Sequence, residues 1–146
     1  MRWVSLRSTQ PTLVVILYLS NKKNAFRDSV MDIDQIKHRL REFAEARDWD
    51  QFHSPKNLAS AISVEAAELL EIFQWLTEEN SKTLDADTKQ KVEQEIADVF
   101  LYLVRLADKL DIDVLAAAAR KIELNDAKYP VQLSKGNAKK YTEFKD

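Results

Sequence analysis

Two pairs of acidic residues with the same spacing are the feature of this sequence best suited to chemistry. Glu65 and Glu68 stand three residues apart, and Glu95 and Asp98 repeat that spacing after an interval of 26 residues (69–94). Because residues three apart lie on one face of a helix, each pair would project both carboxylates to the same side. A buried ionised carboxylate is costly unless something compensates its charge. Four converging carboxylates would therefore need a cation.

The ligand types favour a hard divalent cation. Carboxylate oxygens suit Mg²⁺, Mn²⁺ or Ca²⁺. Di-iron helical bundles use Glu-x-x-His pairs, and neither of the two histidines, His38 and His53, follows a glutamate by three residues. The chain has no cysteine, which also disfavours zinc. Mg²⁺ with substrate phosphates completing its shell fits best, and Mn²⁺ is a possible substitute.

A solvated or ion-paired helix face is the alternative to a metal site. Glu-x-x-Glu pairs are common on charged helices, and Arg105 is a basic residue that could pair with Asp98. Against this, Glu65 and Glu68 lie within the stretch 62–70, which is mostly apolar and holds no basic side chain. Spacing alone favours the metal site without deciding between the two.

Composition predicts an all-α fold. The chain has 146 residues, enough for one domain, and 45% of them are hydrophobic. Gly136 is the only glycine, and there are three prolines and no cysteine. Glycine-rich phosphate loops, dinucleotide-binding fingerprints, disulfides and cysteine nucleophiles are therefore excluded. Turn-rich β folds are disfavoured because their tight turns depend on glycine.

Apolar residues recur at steps of three and four, which predicts four helices. The first begins at a cap on Asp32 or Asp34, and the fourth begins at a cap on Asp111 or Asp113 and ends before Tyr129. Residues 49–57, which include Pro55, have no periodicity and are predicted to form a loop. The predicted spans are about 32–48, 57–77, 87–110 and 113–128, followed by a basic, irregular tail to residue 146.

The first 30 residues differ in charge from the remainder. Residues 1–30 carry a net charge of +4, whereas residues 31–146 carry −6. The apolar run 13–19 has seven residues, far short of the roughly 20 that span a bilayer. The residues that follow it do not form the small-residue cleavage site of a secretory signal. We expect residues 1–30 to be an irregular extension and residues 31–146 to be the domain.

The two acidic pairs stand among further motifs that resemble one family. In chain order these are Phe43-Ala44-x-x-Arg47-Asp48-Trp49, Phe52-His53-x-Pro55-Lys56-Asn57-Leu58, Phe73-Gln74-Trp75, Glu95-Ile96-Ala97-Asp98-Val99-Phe100-Leu101-Tyr102-Leu103, Lys121-x-x-x-Asn125, Tyr129-Pro130-Val131 and Ser134-Lys135-Gly136-x-Ala138-x-Lys140-Tyr141. The set resembles the all-α nucleoside triphosphate pyrophosphohydrolases of the MazG superfamily, and most of all its dCTP pyrophosphatase-like group. The resemblance spans about residues 32–144 and includes nothing in residues 1–30.

The resemblance implies a fold, a reaction and a cofactor. The fold would be a four-helix bundle of the all-α NTP pyrophosphatase type, assembled as a homodimer or homotetramer. The reaction would cleave a nucleoside triphosphate between its α and β phosphates, giving the monophosphate and pyrophosphate. Glu65, Glu68, Glu95 and Asp98 would hold Mg²⁺, and either Glu65 or Glu68 would act as the catalytic base.

The resemblance also implies substrate-binding residues. Tyr102 would pack on the deoxyribose, and aromatic faces such as those of the tryptophans stack on nucleobases. Lys121 and Asn125, four residues apart on the fourth helix, would clamp phosphate and sugar. Asn57 is predicted to cap the second helix. The full expected set is Trp49, His53, Lys56, Trp75, Tyr102, Lys121, Asn125 and Tyr129.

Substrate range and alternative functions remain open at this point. Leu40 stands where dCTP-specific animal relatives would be expected to carry a polar, base-reading side chain. We expect dCTP or related pyrimidine deoxynucleotides, with a broader range plausible. The alternative is a non-catalytic helical module that binds nucleotide or protein. Nucleic acid and membrane partners are not expected from a domain of net charge −6, and the expected role in clearing the nucleotide pool implies the cytoplasm.

Overall fold

The structure is a computed structural model that describes residues 31–144. Helices and short turns make up this part of the chain, and it contains no strand, which confirms the all-α prediction. The irregular extension predicted for residues 1–30 lies outside the described residues. The helices are α1 (Ile33–Glu45), α2 (Pro55–Phe73), α3 (Glu78–Ser81), α4 (Ala86–Lys109), α5 (Val114–Lys128) and α6 (Val131–Ser134). Two 3₁₀ turns cover Asp50–Phe52 and Tyr141–Glu143.

Polar N-caps define where the long helices begin. Asp32 caps α1 and forms a capping box with Gln35, and Asp113 caps α5 through the backbone N–H of Ala116. Both were among the predicted caps. Asp111, the alternative for the fourth helix, instead has a φ of 52° just after α4 ends. Such a left-handed residue marks a helix C-terminus rather than a start.

The second helix differs from its prediction at both ends. It begins at Pro55 rather than near residue 57, because proline fits the first helical position, where its missing N–H is not needed. Ser54, not Asn57, is the cap, and the Asn57 side chain instead donates to the carbonyl oxygen of Phe52 at 2.9 Å. The helix ends at Phe73 rather than near 77. The predicted 49–57 loop is shortened to a 3₁₀ turn with short flanks.

The C-terminal tail is more ordered than predicted. It contains the four-residue helix α6 and a 3₁₀ turn, where the sequence indicated an irregular segment. The ring of Tyr129 meets those of Tyr141 and Phe144 edge-on, with centroids 6.0 and 6.1 Å apart. These contacts fold the segment back onto the end of α5.

The core lies between α2 and α4. These two helices make the most extensive contact among the described elements, and α1 packs on α4. The fully buried side chains with the largest volume are Leu58 of α2 and Val104 of α4. α5 contributes no buried residue. No helix of the described chain combines the length and apolarity needed to cross a membrane.

Candidate active site

Three acidic side chains converge between α2 and α4. Glu65 of α2 and Glu95 and Asp98 of α4 each offer one carboxylate oxygen, and these oxygens all lie within 4.8 Å of one another. Asp98 is 9% exposed, and the other two are half-buried. We call these three residues the acid cluster. The helical spacing identified in the sequence therefore brings carboxylates from both pairs to one place.

Burial and mutual repulsion both disfavour negative charge in the acid cluster. Burial raises the pKa of Glu65 to about 7, helped by the charges of Asp98, Glu68 and Glu95. Burial likewise raises the pKa of Glu95, with contributions from Glu68 and Asp98. The pKa of Asp98 is raised by burial and then by Glu68. Without a counter-charge, the ionised acid cluster therefore destabilises the folded state.

No basic side chain of residues 31–144 forms an ion pair with the acid cluster. Arg105, the candidate partner of Asp98, pairs with Asp50 and Asp108 instead. The Oε2 atom of Glu95 is buried and has no hydrogen-bond partner. Three close carboxylates with an unsatisfied buried oxygen and no basic partner fit a hard divalent cation.

Glu68 occupies a more exposed position than the acid cluster. It stands one helical turn beyond Glu65 on α2 and is exposed. Its charge is near enough to raise the pKa of both Glu95 and Asp98. The structure thus places Glu68 beside the acid cluster but not among its tightly grouped oxygens.

The side of α4 that carries Asp98 continues through Tyr102. Tyr102 is half-buried, and burial followed by the charges of Glu65 and Asp98 raises its pKa to about 12. Its hydroxyl therefore stays protonated. The charge of Glu65 thus raises the pKa of Tyr102. The charge of Glu68 raises the pKa values of Glu65, Glu95 and Asp98.

Arg105 lies on the same side of α4, two turns beyond Asp98 and about 10 Å from it along the helix axis. Arg105 reaches Asp50, in the loop that joins α1 to α2. His53 lies near Arg105 and Asp50. Burial and the charge of Arg105 lower the pKa of His53, whereas the charge of Asp50 raises it. Asp98, Tyr102 and Arg105 therefore share one side of α4, and Arg105 joins that side to the loop of Asp50 and His53; we call this line of residues the strip.

Trp49 begins this loop and is anchored to α1. Its ring meets Phe43 edge-on, with centroids 5.8 Å apart. The guanidinium of Arg47 lies 3.7 Å from the centroid of the Phe43 ring, on the same aromatic group. Trp49 itself is half-buried. Trp49 thus joins the loop to α1, and His53 lies near Arg105 at one end of the strip.

The other predicted substrate residues are exposed, and none of them belongs to the acid cluster. Trp75 follows α2 and is 88% exposed. Lys121 and Asn125 are exposed on α5, a long helix that contributes no buried residue. Lys56 is exposed in the first turn of α2, and Tyr129 belongs to the C-terminal aromatic group. Their roles in binding substrate stay predictions.

The ion-pair network around Arg105 was not predicted from the sequence. The network joins Asp50, Arg105, Asp108, Lys109 and Arg41, and its partners are up to 67 residues apart. The signal that was available is the seven-residue step from Asp98 to Arg105, which puts both on one side of a helix. Which acid Arg105 meets depends on tertiary packing.

An all-α domain with three carboxylates gathered between two long helices defines a class of helical protein whose acidic site could hold a divalent cation. Comparison with known proteins identifies the family within that class: the chain belongs to the MazG-like family, whose profile matches residues 60–144. The family resemblance stated from the motifs is thereby confirmed.

Named relatives agree with this assignment. The chain is 40% identical over 114 residues to dCTP pyrophosphatase 1 of Mus musculus, covering 77% of this chain and 67% of the relative. It is 37% identical over 114 residues to dCTP pyrophosphatase 1 of Homo sapiens, with the same coverage. Among solved structures, a pyrophosphatase from Archaeoglobus fulgidus superposes with a TM-score of 0.62 and 42% identity. That match covers 70% of this chain and 95% of the other.

Proposed function

We propose that this protein is a Mg²⁺-dependent nucleoside triphosphate pyrophosphohydrolase. It cleaves a nucleoside triphosphate between the α and β phosphates and releases the monophosphate and pyrophosphate. The class of enzyme, a nucleoside triphosphate pyrophosphatase, follows from the family and from the named relatives. The metal, the substrate range and the roles of individual residues are the proposed parts.

The observation that carries the proposal is the acid cluster. Glu65, Glu95 and Asp98 keep three oxygens within 4.8 Å without a basic partner in the described chain. We assign these residues, together with Glu68, as the Mg²⁺ ligands. The chemistry that Mg²⁺ supplies when bound is neutralisation of phosphate charge and a lower pKa for water.

The residues of α2 supply the base. Water attacks the α phosphorus, the bond from that phosphorus to the α–β bridging oxygen breaks, and pyrophosphate leaves. Glu65 or Glu68 accepts the proton of the water. Glu68 is the more exposed of the two.

The strip along α4 orients the nucleoside. With the phosphates at the acid cluster, the sugar reaches Tyr102, one turn away, and the base reaches the loop of Trp49 and His53 a further turn on. The protonated Tyr102 packs against the deoxyribose and leaves little room for a 2′-hydroxyl. Trp49 and Trp75 offer aromatic faces to the base.

The remaining predicted residues complete the site in an assembly. Lys121 and Asn125 of α5 bind phosphate and sugar, Lys56 binds phosphate, and Tyr129 lines the site near the end of α5. Large apolar side chains remain exposed on α2, α4 and α5, more than a lone domain usually shows. A homodimer or homotetramer covers these faces, closes the four-helix bundle and brings α5 to a site.

The substrate class is dCTP or related pyrimidine deoxynucleotides. The relatives named as dCTP pyrophosphatases support cytosine, and Leu40 in place of a polar base-reading residue favours a wider range. The physiological role is removal of unwanted nucleotides from the pool, in the cytoplasm. Residues 31–146 form the catalytic domain, and residues 1–30 lie outside it.

Steady-state assays of three proteins test this function. The wild type, Asp98→Asn and Glu93→Gln are compared on a panel of dNTPs and NTPs, with Mg²⁺ or with EDTA. Asp98→Asn removes one ligand charge while keeping the side-chain shape. Glu93→Gln is the matched control because Glu93 is an exposed acid of the same helix, two residues from Glu95.

The expected result is Mg²⁺-dependent activity in the wild type and the Glu93 variant. Asp98→Asn should lose at least about a hundredfold in kcat/KM, because ligand loss removes transition-state charge stabilisation. Equal activity in all three proteins would contradict the site. Nucleotide binding without turnover in the wild type would instead favour a non-catalytic binding module.

A further inference from the structure

A network of ion pairs connects the α1–α2 loop to α4. The Nζ atom of Lys109 lies 2.7 Å from both carboxylate oxygens of Asp50, and Arg105 also donates to Asp50. Arg105 donates a second hydrogen bond to Asp108 at 3.1 Å. Arg41 of α1 donates to both oxygens of Asp108, and its Nε bond, at 2.8 Å, goes to the same Oδ2 atom that accepts from Arg105.

The network has two arms, each of which joins a different part of the chain to α4. The arm from Arg41 to Asp108 ties α1 to α4. The arm from Asp50 to Arg105 and Lys109 ties the loop to α4. Arg105, at the centre, is 5% exposed. A buried guanidinium needs its acidic partners, because breaking a buried pair leaves an uncompensated charge.

Asp50 is the loop residue that reaches α4. Other bonds shape the loop locally: the N–H of Trp49 donates to the carbonyl of Ala44 at 2.9 Å, and Asn57 holds the carbonyl of Phe52. These anchors lead to α1 and α2. Among the hydrogen bonds found for residues 49–53 of the described chain, those of Asp50 connect to the helix that carries Glu95 and Asp98.

We propose that Asp50 is a positioning residue that sets the Trp49–His53 loop at the correct distance from the acid cluster for the nucleoside to bind. The proposal rests on the proposed function. Arg105 stands on the same side of α4 as Asp98 and Tyr102, so the ion pair holds the loop to the same rigid helix that holds the acids. His53 follows Asp50 by three residues and moves with it.

The loop should therefore affect the affinity for the nucleotide, whereas the acid cluster should affect the rate of cleavage. The loop meets the base, which does not react, whereas the acid cluster meets the phosphates. A loop held loosely loses binding energy that the ground state and the transition state share. Such a loss raises KM and leaves kcat nearly unchanged.

The test compares Asp50→Asn with Arg41→Met in the full chain. Arg41→Met is the matched control because it breaks the other arm of the same network and leaves the loop tie intact. Melting temperatures verify that both variants fold. The positioning role predicts about a tenfold rise in KM for dCTP in Asp50→Asn, with kcat within about twofold, and no comparable rise in Arg41→Met. Lys109→Met, at a partly exposed position, should reproduce the KM effect in smaller measure.

A ligand-free measurement accompanies the kinetics. The chain has two histidines, so the ring signals of His53 and His38 can be followed by NMR. The His53 signals should shift in Asp50→Asn but not in Arg41→Met. The His38 signals should be unchanged in Asp50→Asn, because His38 lies on α1 beside Glu42.

Three results overturn the proposal. The first is an unchanged KM in Asp50→Asn, and the second is an equal KM rise in both variants, which would mean a purely structural role. The third is a wild type that neither binds nor hydrolyses any nucleotide. That last result would also contradict the proposed function. Because it is seen in the unmutated protein, it can be distinguished from a failure of the positioning role alone.

Discussion

At the scale of single residues, the acid cluster illustrates what spacing can and cannot predict. The three-residue steps in 65–68 and 95–98 predicted that each pair shares a helix side, and the structure gathers Glu65, Glu95 and Asp98. The looser position of Glu68 was not predictable, because how two helices pack decides which member of a pair points inward. Arg105 shows the same limit: its acidic partners, Asp50 among them, follow from packing between elements distant in sequence.

The raised pKa values of the acid cluster predict how stability depends on pH and metal. In the metal-free fold the pKa of Glu65 is about 7, against 4.5 for an ordinary glutamate, and those of Glu95 and Asp98 are also raised. The folded state therefore holds more protons than the unfolded state between about pH 4.5 and 7. The acid cluster should therefore destabilise metal-free protein as pH rises through that window, whereas His53, whose pKa is lowered, contributes in the opposite direction. Thermal melts in EDTA at pH 5 and pH 8 measure this.

Metal and charge removal provide the controls for that prediction. Mg²⁺ should raise the melting temperature at pH 8 far more than at pH 5, because only the ionised cluster binds it well. Asp98→Asn should raise the melting temperature of the EDTA-treated protein at pH 8, because it removes one of the buried, mutually repelling charges. Glu93→Gln should change nothing. The same change in melting temperature from pH 5 to pH 8 in wild type and Asp98→Asn, both in EDTA, would contradict the effect of the acid cluster, because His53 is present in both proteins.

Tyr102 is predicted to discriminate between sugars by packing rather than by charge. Its hydroxyl stays protonated, with a pKa of about 12. Tyr102→Phe should therefore keep the preference for dCTP over CTP within about threefold, because the ring remains. Tyr102→Ala should reduce that preference about tenfold or more by opening space for a 2′-hydroxyl. The ratio of kcat/KM for the two nucleotides measures it, and equal ratios in wild type and Tyr102→Ala would rule out this role.

At the scale of helices, periodicity predicted which segments are helical, and capping chemistry decided where they begin and end. The spans of α1, α4 and α5 lie within a few residues of their predictions. The missed end of α2 has a local cause. Thr77 accepts a hydrogen bond from the N–H of Asn80 at 3.2 Å and begins α3, so the chain leaves the helix after Phe73. Weak, competing cap signals of this kind are hard to rank from sequence.

The cap at Ser54 gives a prediction at this scale. Its hydroxyl accepts from the N–H of Asn57 at 3.2 Å and starts the helix that carries Glu65. Ser54→Ala should lower the free energy of unfolding by about 1 kcal/mol. Ser60→Ala is the matched control, since Ser60 is exposed inside the same helix and bonds only back to the carbonyl of Lys56. Denaturant titration compares them, and equal losses would count against the cap.

At the scale of the whole molecule, the exposed apolar surface predicts self-association. Leu115 and Ile122, seven residues apart on α5, are 60% and 59% exposed. The family resemblance implied an assembly, but the sequence could not show that α5 would contribute no buried residue. Surface of this extent usually marks an interface.

The expected assembly is a homodimer or homotetramer in light scattering coupled to size-exclusion chromatography. The double variant Leu115→Glu with Ile122→Glu should shift the mass toward one subunit, because it buries charge in the proposed interface. Arg120→Glu, an exposed charge on the same helix, should leave the mass unchanged. A wild type that is monomeric at micromolar concentration would contradict the assembly and the proposed contribution of α5 to a site.

The central claim is that the acid cluster directs cleavage to the α–β bond. ³¹P NMR of dCTP incubated with the wild-type protein and Mg²⁺ identifies the bond directly. The account predicts signals of dCMP and pyrophosphate in equal amounts, and none of either product in EDTA. Signals of dCDP and orthophosphate would show that the β–γ bond is broken and would contradict the function proposed for the acid cluster.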